Sequence, residues 1–589
     1  MSWHRTLSGK IVILLSLVFA FTTIDKISDV VSGEKTCVCA YDGYGYFAYL
    51  PRIYEKGDLE FDQEWMQRRQ DQYCNGAYAY QLQKQDLKGE INIYHMGLSF
   101  VMLPSYAISD VAARIGGYPT DGFSTPYHVG YQLNALLFIF LGLLYLRKLL
   151  SFFANETATI ITLIFIALGA NTYFIFNYQY DLPHLYLFVI NAASLYHLMR
   201  YIKEKRMRSF WFSALLFGLA VCIRPTQLIF GIIPFILLLK EFGKTKEFVR
   251  HMLILGGAVL ICNLPQLIYW KLVGGEWVIL NLHTEDIVLS DPNLYEFLFS
   301  YRKGWLLYSP LFLLLPIGFW LMYKQNRTLF WAVASFSVLY IYVMSAWECW
   351  WYASSFGQRV MVDIYPILAI PLLFLVKSLR TRIVQIGIGT IAVLCLALNQ
   401  FQSEQMRLGI LDGSRMTKEH YWFTFGRLNP DEIHHRYLMI DRGNINWPEH
   451  LSKHKNLPFE IKERNVYASD VLISVPANET AAIGKAHLYK TFETDETRVE
   501  VPLQFTTTDS TQSAVLRMEC VSKYNCYSWD NIELSFGRRQ GIDHYDTLRF
   551  NLPDFRHDAD SMQIYIMNMG NAQVELKSFE INATSLIRK

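Results

Sequence analysis

The chain has 589 residues, of which 52% are hydrophobic, 15% aromatic and only 18% charged, whereas soluble proteins carry roughly 25% charged residues. Its formal net charge is +2, and it has no glycine-rich nucleotide loop, so we expect no nucleic-acid partner. The apolar excess lies before about residue 400. The composition excludes an ordinary soluble enzyme and predicts a polytopic α-helical membrane protein with a water-soluble C-terminal region.

Eleven apolar runs approach the roughly 20 residues that a helix needs to cross a bilayer. The first, at 11–31, follows a basic start and shows no cleavage site, which predicts an uncleaved anchor. A further run, at 96–113, would place Arg147 and Lys148 outside the cytoplasm if it crossed, so we predict an interfacial or re-entrant helix there. The other predicted spans lie at 127–146, 157–176, 183–199, 210–223, 226–239, 252–270, 305–323, 329–345, 360–376 and 383–398.

Short loops rich in lysine and arginine alternate along the chain with loops that hold few of either. Because basic loops stay in the cytoplasm, we expect the N-terminus there and the first outer loop, 32–126, on the opposite side. This arrangement predicts a multi-pass protein of the bacterial inner membrane, with a transmembrane catalytic domain over residues 1–400. The C-terminal domain is then extracytoplasmic.

The sequence changes character after residue 400, where short alternating segments are separated by Asn, Asp, Gly and Pro. This pattern predicts an extracytoplasmic connector at 401–450 and a β-sandwich at 451–589. A compartment outside the cytoplasm permits disulfides, and Cys520 with Cys526 is the first predicted pair. A bridge from Cys37 or Cys39 to Cys74 is the second.

One carboxylate stands among aromatic and glycine residues just after the first span, in the motif Tyr41-Asp42-Gly43-Tyr44-Gly45-Tyr46. A carboxylate against apolar walls can have a raised pKa and act as a general base, and aromatic faces suit sugar rings. The alternative is an ordinary turn aspartate within an interfacial aromatic belt. The first interpretation predicts that Asp42 is catalytic.

Other polar side chains also fall at the predicted outer ends of the helices. Outside the cytoplasm a sugar must arrive on a lipid carrier, whose phosphate leaves the anomeric carbon, so cations are needed to hold that phosphate. Predicted for that role are Arg224, Arg302, Lys303 and Arg359. Predicted to bind substrate are Tyr44, Tyr46, His95, Asp181, His184, Glu285, Glu348 and Trp351. Taken singly, such residues also have a structural interpretation, in which the histidines are satisfied within the fold and the cations only snorkel to the membrane interface.

In their order, these motifs resemble the polyprenyl-phosphate-sugar-dependent glycosyltransferases of the GT-C superfamily, which include protein O-mannosyltransferases and lipid A aminoarabinose transferases. The resemblance covers about residues 1–400 and implies a GT-C-like fold with inverting transfer from a polyprenyl-phosphate sugar. It assigns the base or acceptor-orienting role to Asp42 and donor-phosphate binding to Arg302, Lys303 and Arg359. The motifs that carry it are Tyr41-Asp42-Gly43-Tyr44, Tyr94-His95-Met96-Gly97, Asp181-Leu182-Pro183-His184, Arg224-Pro225, Arg302-Lys303-Gly304 and Ser355-Phe356-Gly357-Gln358-Arg359.

Several alternatives stay open. Protein O-mannosyltransferases carry an Asp-Glu pair where this chain has Asp42-Gly43, which weighs against that acceptor, while other proteins, lipids and polysaccharides remain. A transporter or flippase of lipid-linked sugars, or a membrane-anchored carbohydrate-binding protein, would share this composition. No cofactor is certain, and the scattered acids and histidines predict no metal site but leave a divalent cation open.

Overall fold

The computed structural model of the chain is mostly helical and ends in a strand-rich region. It describes residues 3–32, 37, 39–74, 77, 79–83, 87–279, 282, 287–347, 349–430, 438, 459–469, 472–477, 479–487, 497–507, 514–521, 526–534, 544–551, 561–568 and 573–588. The chain divides into two compact units. Unit 1 comprises Met1–His283, Pro292–Ser414 and Gly426–Leu428, and unit 2 comprises Thr284–Asp291, Arg415–Phe425 and Asn429–Lys589.

Helices account for almost all of unit 1. The α-helices are α1 (Leu7–Val31), α2 (Tyr41–Phe47), α3 (Tyr49–Lys56), α4 (Gln63–Tyr73), α5 (Gly97–Gly116), α6 (Thr125–Leu150), α7 (Glu156–Leu168), α8 (Thr172–Tyr178), α9 (Pro183–Glu204), α10 (Met207–Ile223), α11 (Ile232–Phe242), α12 (Lys246–Tyr269), α13 (Leu294–Phe299), α14 (Trp305–Tyr308), α15 (Leu315–Gln325), α16 (Arg327–Ser345), α17 (Tyr365–Ser378) and α18 (Arg382–Arg407). Shorter 3₁₀ turns occupy Trp3–Arg5, Pro225–Gly231, Pro310–Leu314 and Arg359–Ile364, a π-helical turn covers Trp270–Gly274, and strands β1 (Leu82–Gln83) and β2 (Ile91–Asn92) form a small antiparallel ribbon.

Within the described residues, eight helices are long and apolar enough to cross a membrane, which makes this a membrane protein. They are Leu7–Val31, Gly97–Gly116, Thr125–Leu150, Pro225–Phe242, Lys246–Gly274, Arg327–Ser345, Arg359–Ser378 and Arg382–Arg407. A ninth candidate is the pair α7 and α8, which is bent by 56°.

Three of the eleven predicted spans differ from these helices. Helix α9 has 22 residues but is not among the candidates, because His184, Asn191 and His197 interrupt its apolar sequence. Helix α10 has only 17 residues. The run at 305–323 breaks into α14, a 3₁₀ turn and α15, because Pro310 has no amide hydrogen to continue the helix.

Helix α5 is long enough to cross a membrane, yet its contacts place both of its ends at one end of the bundle. Before α5, the Met96 amide donates to Gln266 in the last turns of α12 (2.8 Å). Near its C-terminus, Asp110 accepts from Tyr127 in the first turn of α6 (2.6 Å). Helices α6 and α9 run parallel, since Phe138 packs on Tyr186 and Tyr145 on Tyr196, and α10 returns antiparallel, with α12 alongside it.

The start of α6 and the ends of α10 and α12 therefore share one end of the bundle. The interfacial or re-entrant helix predicted at 96–113 stays a prediction, because α5 is also long and apolar enough to cross a membrane. The opposite end is marked by Arg147 at the end of α6, which donates to Ser8 at the start of α1 (2.6 Å).

Unit 2 contains α19 (Lys418–Thr424) and two antiparallel sheets. A four-stranded sheet has the order β5-β10-β7-β8, and a five-stranded sheet has the order β3-β11-β6-β9 with β4 also paired to β11. Buried and half-buried residues alternate along β7 and β10, which is typical of strands with one face on a core. Side chains of both sheets, among them Leu516 and Ile564 from one and Val501 and Ile581 from the other, form one apolar cluster. The strands are β3 (Phe459–Ser469), β4 (Ile473–Val475), β5 (Thr480–His487), β6 (Thr497–Thr507), β7 (Ala514–Val521), β8 (Cys526–Glu533), β9 (His544–Asn551), β10 (Ser561–Asn568) and β11 (Val574–Arg588).

Candidate functional site

Asp42 lies in the first turn of α2, where the backbone turns abruptly. Tyr41 before it has φ +52°, in the left-handed region that residues other than glycine rarely adopt. The Asp42 carboxylate accepts hydrogen bonds from the hydroxyls of Tyr80 and Tyr94, the latter at 2.8 Å. Its other oxygen accepts from Nη2 of Arg359 at 2.5 Å. Strained backbone and a fully engaged carboxylate are features that cluster at functional sites.

The pKa of Asp42 is lowered, whereas the sequence predicts that it is raised. Burial by itself would raise the pKa of Asp42, but the positive charge of Arg359 and two tyrosine hydroxyls outweigh it and lower the pKa to about 2. The expectation was wrong because it considered only the apolar walls and not a cation that is 317 residues away in sequence. Asp42 is therefore ionised at neutral pH.

A second carboxylate stands beside the first. A side chain at Gly43 would collide with the Asp181 carboxylate, so the glycine is what lets Asp181 approach α2 so closely. Burial, followed by the charge of Asp42, raises the pKa of Asp181 to about 6. Two neighbouring carboxylates with pKa values pushed apart are a common arrangement for acid–base chemistry.

Arg359 enters the site from the start of the 3₁₀ turn that precedes α17. Its side chain is only 10% exposed. While Nη2 binds Asp42, Nε is buried and has no hydrogen-bond partner among the residues that the structure describes. Buried donors are rarely left unsatisfied, so Arg359 has a donor to offer to a further acceptor.

A second cluster surrounds Asp363, which is completely buried. Its carboxylate contacts His184 Nδ1 at 2.7 Å and Arg224 Nη1 at 3.4 Å. It also accepts from Tyr340 (3.2 Å) and Gln227 (3.4 Å). The positive charge of Arg224 is thus already neutralised, and His184 is held inside the bundle, while their predicted roles in binding phosphate and substrate stay predictions.

Tyr46 lies between the two clusters. Burial raises the pKa of its hydroxyl to about 12, and the charges of Arg224, Asp42, Arg359 and Asp363 all act on it. Its ring packs against that of Tyr94, with centroids 4.8 Å apart. Both rings therefore belong to the wall around Asp42.

Lys303 and Arg302 support the loop that carries Arg359. Nζ of Lys303 donates to the carbonyl and hydroxyl oxygens of Ser355 (2.5 and 2.6 Å), and burial together with nearby positive charge lowers its pKa well below the usual range. Arg302 donates from Nε to the Ser414 carbonyl (2.7 Å) and stacks on Trp351, 3.8 Å from the ring centre. Lys303 is thus a buried anchor of the loop, and its ammonium contacts Ser355, while its predicted role in binding the donor phosphate stays a prediction.

The remaining predicted residues are scattered. Tyr44 is fully buried and donates to the Met66 carbonyl (3.1 Å), so its ring has no face open to a sugar. His95 packs edge-on against Trp270. Glu285, Glu348 and the side chain of Cys526 lie outside the described residues, while Cys520 is buried in unit 2. The structure joins Cys37 to Cys74.

The described residues contain no group of three His, Cys, Asp or Glu side chains that could hold a metal ion. Among the site residues that sequence reasoning missed are Tyr80 and Asp363. Asp363 carried a usable signal, because an ionisable residue inside a predicted span marks function or a partner, whereas Tyr80 carried none.

No protein-family model, curated protein or solved structure matches the chain.

Proposed function

We propose that the protein is an integral-membrane, inverting glycosyltransferase of the GT-C type. It transfers a sugar from a polyprenyl-phosphate donor to a protein, lipid or polysaccharide acceptor on the extracytoplasmic face. One observation carries the proposal: the ionised Asp42 is bound by Arg359, whose buried Nε has no partner among the described residues. A base and a phosphate-binding cation are therefore in direct contact.

The reaction requires the groups that this cluster supplies. An acceptor hydroxyl loses its proton to a base, and its oxygen forms a new bond to the anomeric carbon. The bond from that carbon to the phosphate oxygen breaks, and polyprenyl phosphate leaves with the electron pair. Attack opposite the leaving group inverts the anomeric configuration. Asp42 is the base in this scheme, and Arg359 binds the phosphate as its negative charge increases.

The low pKa of Asp42 is expected to depend on whether the donor is bound. Paired with Arg359, the carboxylate has a pKa of about 2 and is a weak base. A donor phosphate on the guanidinium would share its positive charge and draw the pKa of Asp42 upwards, because the ion pair is what lowers it. Donor binding would thus prepare the base, and Asp181, beside Gly43, is placed to receive or supply a proton.

The membrane arrangement supports an outer location for the site. Tyr94 directly precedes α5, and Arg224 caps the end of α10, so the site lies at the end of the bundle opposite to Arg147 and Ser8. On the basic-loop rule, the Arg147 end faces the cytoplasm. We therefore propose about eleven spans, a cytoplasmic N-terminus and a β-sandwich outside the bacterial inner membrane, built from the two sheets of unit 2.

The test uses purified full-length protein in lipid nanodiscs, supplied with polyprenyl-phosphate-linked hexoses and pentoses and with a cell-envelope extract as acceptor. Release of polyprenyl phosphate is measured. We expect Asp42→Asn to lower release by about 10²–10⁴-fold, the usual contribution of a general base. The matched control is Asp58→Asn, which removes another aspartate of the first outer loop that pairs with an arginine, Arg52, at 2.7 Å, and it should leave release unchanged.

Equal release by the wild-type protein and by Asp42→Asn would remove Asp42 from the mechanism. In proteoliposomes, movement of intact lipid-linked sugar across the bilayer without release of carrier phosphate would instead identify a transporter or flippase.

A further inference from the structure

A long groove runs between α10 and α12, away from the Asp42 cluster. It has a volume of about 760 Å³, and its apolar walls include Trp211 and Leu215 from α10 and Leu253 and Ile261 from α12. These walls are open, since Leu253 is 71% and Ile261 66% exposed. From Thr245 to Ile261 the groove follows α12 for about 24 Å at 1.5 Å per residue, a length that suits an extended hydrocarbon chain.

The floor of the groove has a glycine with no packing reason among the residues that the structure describes. A side chain at Gly257 would meet no described atom within 4 Å. Glycine inside a helix destabilises it relative to alanine, so such a glycine calls for another reason. At Gly218 in α10 the opposite holds, because a Cβ there would come within 2.5 Å of the Ala258 carbonyl. Gly218 lets the two helices approach, whereas Gly257 leaves room for something other than protein.

Positive charge collects at one end of the groove. Lys244, Lys246 and Arg250 are exposed there and line it. Only Arg250 has an acidic partner among the described residues, Glu247 at 3.6 Å. Two lysines are therefore available to a ligand whose anionic group lies beside its hydrocarbon chain. Basic residues at such a boundary attract anionic lipids.

We propose that this groove binds one anionic phospholipid, with the phosphate at Lys244 and Lys246 and an acyl chain along Gly257 to Ile261. Charge complementarity selects an anionic headgroup over a zwitterionic one. The inference is independent of the transferase activity, because no residue of the groove belongs to the Asp42 or Asp363 clusters.

The test titrates the full-length protein in detergent with phosphatidylglycerol or with phosphatidylcholine of the same acyl chains, and counts bound lipids by native mass spectrometry. The charge variant is Lys244→Ala with Lys246→Ala. Each basic residue near a membrane surface contributes roughly fivefold to binding of anionic lipid, so the pair should weaken phosphatidylglycerol binding by about 25-fold. The control is Arg380→Ala with Arg382→Ala, which removes two exposed cations at the start of α18.

The second variant fills the groove. Gly257→Leu should abolish the bound phosphatidylglycerol without unfolding the protein, since the new side chain enters open space. Its control is Gly389→Leu in α18, another helical glycine with no neighbour within 4 Å, which should retain the lipid.

The proposal is supported if the protein binds phosphatidylglycerol in preference to phosphatidylcholine and if both groove variants, but neither control, lose the bound lipid. Equal binding of the two phospholipids, retention of lipid by the groove variants, or equal loss in the controls would overturn it. Displacement of phosphatidylglycerol by equimolar polyprenyl phosphate would also overturn it, because the occupant would then be the carrier lipid.

Discussion

Two carboxylate–arginine pairs lie near the same end of the helical bundle, and they differ in how completely they are satisfied. Asp363 is 0% exposed and is surrounded by Arg224, His184, Tyr340 and Gln227. The side chain of Asp42 is 22% exposed, and Nε of its arginine has no hydrogen-bond partner in the part of the chain that the structure describes. A closed pair of this kind stabilises a fold, whereas an open pair has capacity for a ligand. The two pairs should therefore fail in different ways when they are mutated.

The largest effect is expected for Asp363→Asn. Removing one charge from a buried pair leaves the other uncompensated, which costs about 3–5 kcal/mol. Arg224 and His184 would both lose their partner, so the unfolding temperature of the purified protein should fall sharply. If Asp363→Asn unfolds at the wild-type temperature, the closed pair is not a structural anchor.

Next in size is the contrast between Arg359→Lys and Arg224→Lys. Lysine keeps the charge but loses the planar set of donors that binds phosphate and carboxylate together. Arg359→Lys should lower carrier release by about 10²–10³-fold, which is typical for loss of a transition-state donor, with little change in unfolding temperature. Arg224→Lys should mainly lower the unfolding temperature. The same profile for both variants would contradict the distinction between the two pairs.

The smallest effect concerns pH and separates the two carboxylates at the Asp42 site. Asp181 has its pKa raised from 3.8 to about 6, so its contribution to stability is present below pH 4 and is lost as pH rises through about 6. Asp42, with its pKa lowered to about 2, loses its contribution only as pH falls from about 4 towards 2.

The measurement compares unfolding temperatures of the wild-type protein and Asp181→Asn between pH 4 and pH 7. The wild type should lose stability relative to the variant as pH rises. A difference that stays constant across this range would mean that Asp181 does not titrate there.

The sequence predicted individual residues of the candidate site but not their contacts, because the partner of each residue lies in a distant part of the chain. Asp42 and Arg359 stood out because each is polar within an aromatic, apolar setting, and the structure places them in contact. Their pairing, and hence the lowered pKa of Asp42, depends on a tertiary approach that no local pattern encodes. Tyr80 is a similar case, since its contact with Asp42 arises only from the folded loop.

Where apolar residues are continuous, the predicted spans match long apolar helices, whereas polar side chains in α9 and Pro310 in the run at 305–323 interrupt the pattern. Helix α9 carries His184 and Asn191 because their partners, Asp363 and Gln227, lie inside the bundle. The contacts of Arg224 and Lys303 could not be predicted for a related reason, because the Asp363 carboxylate and the Ser355 hydroxyl that bind them come from distant segments.

The most direct test of the central claim is a structure of the full-length protein with a polyprenyl-phosphate sugar bound. We expect a phosphate oxygen within about 2.7–2.9 Å of the Arg359 guanidinium and the anomeric carbon facing Asp42. A phosphate bound elsewhere, with the contact between Arg359 and Asp42 unchanged, would contradict it.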